Sequence, residues 1–191
     1  MKLQTHLYFV RHAHSDYTPD ELGRPLSEKG AEDAKKVAEA LKGEKISRVI
    51  SSPYKRAIQT VEGISREINV EIELLDGFRE RLLSSEPAAD FQSAILKAWE
   101  DEQFAFEGGE SNQTARARGV KEVLEILRHY EGERIAIGTH GNIMVLIMSY
   151  FDSRYGFQFW QQLGMPAVYC LAFEDMKLSE VRQIALDVKA I

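Results

Sequence analysis

The sequence predicts an α/β fold, a three-layer α/β/α sandwich with a mostly parallel central sheet and a small helical cap insertion. Short apolar segments rich in β-branched and aromatic residues alternate along the chain with longer segments of helical periodicity. This alternation is typical of parallel strands covered by helices on both faces. The chain has 191 residues, of which 44% are hydrophobic, so it can bury a core without a disulfide or a structural metal. We therefore treat residues 1–191 as one domain.

The first half of the chain contains three predicted strands and two predicted helices. The strands are Leu7–Val10, Ile46–Ile50 and Val70–Leu75. A long polar loop, Arg11–Pro25, follows the first strand, and long loops in compact domains often carry function. The first helix follows Ser27 and ends at Gly43. The second is predicted to have Ser52 as its N-cap and Pro53 as its first helical residue.

Residues 79–110 differ in composition from the rest of the chain. This segment has eight acidic and three basic residues, so it holds most of the net charge of −6. It also has Pro87, a helical pattern and a Gly108-Gly109 break. The helical pattern consists of Phe91, Ala94, Ile95, Ala98 and Trp99. We expect a cap inserted over the main layers.

The second half completes the sandwich. A long helix is predicted over about Asn112–Tyr130, followed by a strand at Arg134–Gly138. His140-Gly141-Asn142 then opens an apolar helix. The closing strands are predicted at Ala167–Phe173 and Val181–Val188.

Composition excludes several classes of protein. The single cysteine, Cys170, excludes an internal disulfide and a multi-cysteine zinc site. The longest apolar stretch, Ile143–Phe151, is too short for a membrane span of about 20 residues, and the N-terminus lacks the pattern of a signal peptide. The acidic balance disfavours nucleic acid and anionic membranes as partners. We expect a cytoplasmic protein, and the sequence makes no prediction of its oligomeric state.

Polar side chains follow the predicted strands at the carboxyl ends, where α/β proteins bind ligands. Arg11 and His12 follow the first strand, and Arg56 lies one helical turn beyond the second. Glu80 follows the third strand and His140 the fourth. Arginine forks match phosphate oxygens, a histidine nitrogen can attack phosphorus, and a carboxyl group can protonate a leaving oxygen. The sequence therefore predicts phosphoryl chemistry in which side chains supply the cations and no metal or cofactor is needed.

Six short motifs carry these residues. They are Arg11-His12-Ala13-His14-Ser15, Leu26-Ser27-Glu28-Lys29-Gly30, the stretch 51–60 (SSPYKRAIQT), Arg79-Glu80, Gly109-Glu110-Ser111 and Thr139-His140-Gly141-Asn142. In content, order and spacing they resemble the motifs of the histidine phosphatase superfamily, which includes the phosphoglycerate mutases, and they resemble its phosphatase branch most. The matching region runs from residue 7 to residue 142.

The resemblance implies a role for each matched residue. His12 would be the nucleophile, and Glu80 would be the general acid and then the general base. The phosphoryl oxygens would be held by Arg11, Arg56, His140 and the backbone at Gly141, where a helix begins.

The sequence also departs from the family pattern. Ala13 replaces the usual glycine, and His14 stands where an acid, amide or hydroxyl residue is usual. The Gly-x-Trp-Glu-Gly stretch that often follows the glutamate is absent, so Glu86 and Glu110 are alternatives to Glu80 as the acid.

We expect a metal-independent phosphomonoester hydrolase that acts through a phosphohistidine on a small phosphorylated metabolite. The first alternative is a phosphomutase, which needs extra cations above the site, and Lys97, Arg116 and Arg118 could supply them. The second is a metallohydrolase that uses His12-x-His14 as paired ligands, although the chain offers few further ligands. The third is a non-catalytic phosphate-binding module.

Overall fold

Residues 3–186, which are the residues that the computed structural model describes, contain six strands and six α-helices. The strands are β1 (Gln4–Arg11), β2 (Arg48–Ser51), β3 (Ile72–Leu74), β4 (Arg134–Thr139), β5 (Ala167–Glu174) and β6 (Lys177–Ile184). The helices are α1 (Glu28–Leu41), α2 (Lys55–Ile68), α3 (Phe91–Glu100), α4 (Asn112–His129), α5 (Gly141–Phe151) and α6 (Phe157–Gln162). Two short 3₁₀ turns lie at Lys42–Glu44 and Asp76–Phe78.

The strands form one mixed sheet in the order β3-β2-β4-β1-β5-β6. Strands β1 to β4 pair in parallel, whereas β5 and β6 join antiparallel at one side. The predicted α/β fold with a mostly parallel sheet is therefore confirmed.

The central strand β1 is buried on both faces, as its uninterrupted apolar run predicts. Leu7 and Phe9 pack into one core with residues of α4 and α5. Tyr8 and Val10 pack into the other core with residues of α1 and α2. Successive side chains of a strand point to opposite faces, so the two cores lie on either side of the sheet and form the interfaces of the three layers.

The strand register brings the carboxyl ends of three strands to one edge. Arg11 of β1 pairs with Thr139 of β4, and Ser51 of β2 pairs with Gly138 of β4. The residues that follow these strands therefore meet at this edge, as expected for a binding site in an open α/β sheet.

The predicted start of α2 is wrong. The helix begins at Lys55 with Tyr54 as its N-cap, rather than at Pro53 with Ser52 as the cap. Tyr54 keeps an extended backbone with φ −71° and ψ 129°. The Ser52 hydroxyl lies 2.8 Å from Nε2 of His140, and this long-range contact explains why Ser52 stands outside the helix.

The last strand begins earlier than predicted. β6 starts at Lys177 because Asp175 and Met176 form a two-residue turn, both with positive φ, between it and β5. Polar residues at the start of β6 conceal the strand pattern that we placed at Val181–Val188, and the end of that prediction lies outside the described residues. The short helix α6 was not predicted.

The segment 79–110 contains α3, and the rest of it is irregular. Its two ends are joined where the Glu110 N–H donates to the Leu82 carbonyl at 2.7 Å. Trp99 of α3 packs against the core that contains Leu7 and Phe9. The role of this segment as a cap stays a prediction. Among residues 3–186, no helix combines the length and apolarity needed to cross a bilayer.

Candidate active site

His12 lies directly after β1, and hydrogen bonds at its backbone N–H and at Nδ1 fix its position. Its backbone N–H donates to the Thr139 carbonyl at 3.0 Å, and Nδ1 lies 2.7 Å from the Ala13 carbonyl. A carbonyl oxygen only accepts hydrogen bonds, so Nδ1 carries the proton and Nε2 is the unprotonated nitrogen. Burial, together with the charges of Arg56, Arg11 and Arg24, lowers the pKa of His12 to about 3. The ring is therefore neutral at pH 7, the state that a nucleophile needs.

Arg56 contacts the unprotonated nitrogen of His12 from the first turn of α2. Its Nε–H donates to Nε2 of His12 at 3.3 Å, and its side chain is only 5% exposed. Its Nη1 donates to the backbone carbonyl of Glu21 at 2.8 Å, and its Nη2 donates to the carboxylate of the same residue at 3.1 Å. The Nε edge of the fork is thereby turned toward His12, where a phosphoryl group would lie.

Arg11, at the end of β1, is anchored by the chain segment before β5. Its Nη1 donates to the carbonyls of Leu163 at 2.7 Å and Gly164 at 3.2 Å. Its Nε is buried and has no hydrogen-bond partner among residues 3–186. Gly141 packs against this guanidinium so closely that an added Cβ would lie 3.0 Å from Cζ. The phosphate-binding role of Gly141 stays a prediction, and the structure gives it a packing role against Arg11.

His140 is fully buried at the junction of β4 and α5. Its ring centroid lies 5.1 Å from that of His12 and 5.0 Å from that of Tyr54. Its Nε2 bonds the Ser52 hydroxyl, and its Nδ1 has no partner among the described residues. Burial, followed by the effect of His12 and nearby arginines, lowers the pKa of His140 well below its usual value. Two neutral imidazoles therefore lie side by side.

Glu80 lies at the N-terminus of α5. Its carboxylate accepts hydrogen bonds from the N–H groups of Asn142 at 3.1 Å and Ile143 at 3.0 Å, and from the N–H of Arg81 at 2.8 Å. The positive end of a helix dipole favours a carboxylate at this place. Backbone N–H groups, rather than the guanidinium groups of its neighbours Arg79 and Arg81, therefore bind the carboxylate of Glu80.

The ion pair between Arg118 and Glu110 holds the loop that carries Glu80. Arg118 of α4 donates to the carbonyls of Gly77, Arg79 and Glu80 at 2.8, 2.9 and 3.2 Å. The same guanidinium makes two bonds of 2.8 Å to the carboxylate of Glu110. Both carboxylate oxygens of Glu110, an alternative acid in the sequence analysis, are thus bonded to Arg118. The sequence did not indicate this ion pair, although Glu110 lies in a matched motif.

Arg116 and Lys97, the other cations considered for a phosphomutase, each contact another side chain. Arg116 makes a two-bond ion pair with Glu102, and Nζ of Lys97 lies 4.1 Å from the centre of the Phe104 ring. Glu86, the other alternative acid, is exposed in the segment 79–110.

His14 does not share a site with His12. It is exposed, and its Nδ1 lies 2.8 Å from the hydroxyl of Ser27. Among residues 3–186, no three His, Cys, Asp or Glu side chains are grouped so that they could hold a metal ion.

The structure thus brings Arg11, His12, Arg56, Glu80 and His140 to one edge of the sheet, and their catalytic roles stay predictions. Three neighbouring residues were missed by the sequence analysis, namely Glu21, Arg24 and Tyr54. Two of them lie in the long loop that we had marked as functional, so its length was the available signal.

Residues 7–183 match the sequence profile of branch 1 of the histidine phosphatase superfamily, and the chain therefore belongs to this family. The resemblance noted in the sequence is confirmed.

Individual relatives include both phosphatases and a mutase-like protein. Phosphoglycerate mutase-like protein 4 of Arabidopsis thaliana is 30% identical over 152 residues, which are 71% of this chain and 66% of that protein. Phosphoserine phosphatase 1 of Hydrogenobacter thermophilus is 29% identical over 150 residues, which are 70% of each. The mycobacterial glucosyl-3-phosphoglycerate phosphatase shares the fold with a TM-score of 0.77 at 22% identity, over 94% of this chain and 97% of that one. The chain spans slightly less than two thirds of the plant protein.

Proposed function

We propose that this protein is a metal-independent phosphomonoester hydrolase that acts through a phosphohistidine on a small phosphorylated metabolite. The observation that carries the proposal is the state of His12. Its ring is neutral, its proton is held on Nδ1 by the Ala13 carbonyl, and its unprotonated Nε2 accepts a hydrogen bond from Nε of Arg56 at 3.3 Å. A nucleophilic nitrogen and a phosphate-binding cation therefore face the same point.

The reaction has two steps. In the first, Nε2 of His12 bonds to phosphorus and the ester oxygen leaves, taking a proton from the carboxyl group of Glu80. In the second, water attacks the phosphohistidine, Glu80 takes a proton from that water, and inorganic phosphate and neutral His12 are released. Arg11 and Arg56 neutralise the phosphoryl oxygens during both transfers.

Glu80 must give a proton in the first step and accept one in the second. Three backbone N–H groups hold its carboxyl group at the N-terminus of α5 and so fix its position for both transfers.

Two relatives support hydrolysis of a small phosphorylated substrate, because one is named phosphoserine phosphatase 1 and another glucosyl-3-phosphoglycerate phosphatase. The acidic segment 79–110 also disfavours nucleic acid as the substrate.

The plant relative makes a mutase the competing proposal. A mutase must retain a doubly anionic intermediate, but Arg116 and Arg118 are paired with carboxylates. An assay with a monophosphorylated sugar acid, with and without its bisphosphorylated form, separates the two. We expect phosphate release that does not depend on the bisphosphate, and isomerisation without phosphate release would contradict the proposal. A parallel assay with a chelator tests metal independence, and we expect activity to survive.

The nucleophile is tested by rapid-quench labelling with a ³²P-labelled substrate. We expect an acid-labile, base-stable phosphoryl label on the wild type and on His129→Ala, because His129 is exposed at the end of α4. His12→Ala should lose both the label and turnover. Labelling of His12→Ala at the wild-type level would refute the assignment.

A further inference from the structure

The carboxylate of Glu21 bridges two arginines beside His12. One of its oxygens lies 3.1 Å from Nη2 of Arg56, and the other contacts Nη2 of Arg24. The Glu21 side chain is 49% exposed, whereas those of Arg56 and Arg24 are 5% and 15% exposed. A solvent-accessible carboxylate thus balances two largely buried guanidinium groups, which would be costly without a counter-charge.

Both arginines keep an inner edge free of Glu21. Nε of Arg56 faces Nε2 of His12, and Nε of Arg24 is buried without a partner among residues 3–186. Glu21 therefore lowers the positive charge that a phosphoryl group meets without occupying the nitrogen that faces His12. The orientation of Arg56 does not depend on the Glu21 side chain alone, because Nη1 of Arg56 also donates to the backbone carbonyl of residue 21 at 2.8 Å.

The charges around His12 indicate how Glu21 affects the binding of phosphate. With both histidines neutral, the guanidinium groups of Arg11, Arg24 and Arg56 supply positive charge around His12. Glu21 is the carboxylate that pairs with two of these three groups. A phosphate dianion at the site therefore meets one unit of positive charge less than it would without Glu21. The carboxylate therefore opposes tight retention of phosphate, the second product of the proposed reaction.

We propose that Glu21 is a built-in counter-ion of the phosphoryl site, which weakens the binding of phosphate and so speeds its release after hydrolysis. This inference rests on the proposed function for its purpose, but the effect on phosphate binding can be measured without turnover. Glu21 acts through Arg24 and Arg56 and is a positioning and charge-setting residue rather than a catalytic one.

The test is calorimetric titration with inorganic phosphate at fixed ionic strength. Glu21→Gln removes the charge and keeps an oxygen that can accept from Arg56, and we expect it to bind phosphate about fivefold more tightly than the wild type, as suits a half-exposed charge. The control is Glu28→Gln, which changes the net charge equally but lies on the first turn of α1, and its phosphate affinity should match the wild type. Glu21→Ala, which keeps the backbone carbonyl for Arg56, should shift affinity in the same direction and serves if the glutamine variant is poorly folded.

A second measurement tests the coupling between the two charges. Arg24→Gln should weaken phosphate binding, and the double variant Glu21→Gln/Arg24→Gln should return the affinity to within about twofold of the wild type, because its net charge is restored. A loss or no change of phosphate affinity in both Glu21 variants overturns the inference.

The outcomes for the two proposals are distinguishable. Hydrolysis by the wild type with unchanged phosphate affinity in the Glu21 variants would overturn only this inference. Tighter phosphate binding in those variants, with no hydrolysis by the wild type, would support it and refute the proposed function.

Discussion

Replacing Glu80 by glutamine separates its chemical role from its structural one. The carboxylate accepts from three backbone N–H groups, with one oxygen bound to Arg81 and Ile143 and the other to Asn142. A glutamine has one acceptor oxygen, so its NH₂ group must face at least one N–H donor. An unsatisfied donor costs roughly 1–3 kcal/mol, and the lost charge at the helix N-terminus costs about 0.3–1 kcal/mol. We expect Glu80→Gln to lower the free energy of unfolding by about 2 kcal/mol.

The kinetic effect depends on the leaving group. Values of kcat/KM report the steps up to release of the alcohol, so hydrolysis of the phosphohistidine does not affect them. Alkyl phosphates need a proton on the leaving oxygen, and loss of the general acid should lower their kcat/KM by about 10²–10³-fold. Aryl phosphates with good leaving groups need little protonation, and their kcat/KM should fall less than about tenfold.

The assay is a comparison of kcat/KM for a series of phosphate esters at a temperature where both proteins are folded. Urea unfolding monitored by circular dichroism measures the change in the free energy of unfolding separately. Equal losses across the ester series would refute Glu80 as the acid, even if the loss of stability is as expected.

Three further outcomes follow from the site. Because burial lowers the pKa of His12 to about 3, the unfolded chain binds more protons than the folded one below pH 6.5. Stability should therefore fall as pH drops from 6.5 toward 3, by up to about 1.4 kcal/mol per pH unit from this group, and urea titrations should show a smaller pH dependence in His12→Ala. Glu110→Gln breaks the paired bonds to Arg118 and should reduce kcat/KM for alkyl phosphates about tenfold or more, with a smaller loss for aryl phosphates. Gly141→Ala places a Cβ 3.0 Å from the Arg11 guanidinium, and competition kinetics should show phosphate inhibition weakened about tenfold through a lost charge-assisted contact.

Local patterns predicted those parts of the fold that depend on neighbouring residues. The apolar run after Leu7 predicts a strand buried on both faces, and β1 is such a strand. The ends of β1 and β4 were placed to within one residue, because Arg11 and His140 interrupt apolar runs. Parallel pairing then required those residues to lie at one edge, which the register confirms.

Features that depend on distant contacts were not predicted. Ser52 has the composition of an N-cap, but its hydroxyl bonds His140, which lies 88 positions away. The path of the loop that places Glu21 against Arg56 has no periodicity from which it could be inferred. The same holds for Arg118, which looks like an ordinary exposed helix residue until the loop carbonyls around it are known.

The most direct test of the central claim is a crystal structure with orthovanadate, which imitates a phosphoryl group in transfer. We predict vanadium bonded to Nε2 of His12, with Arg11, Arg56 and His140 within hydrogen-bond distance of its oxygens. Vanadate bound without contact to His12, or held by only one of the two arginines, would contradict the account.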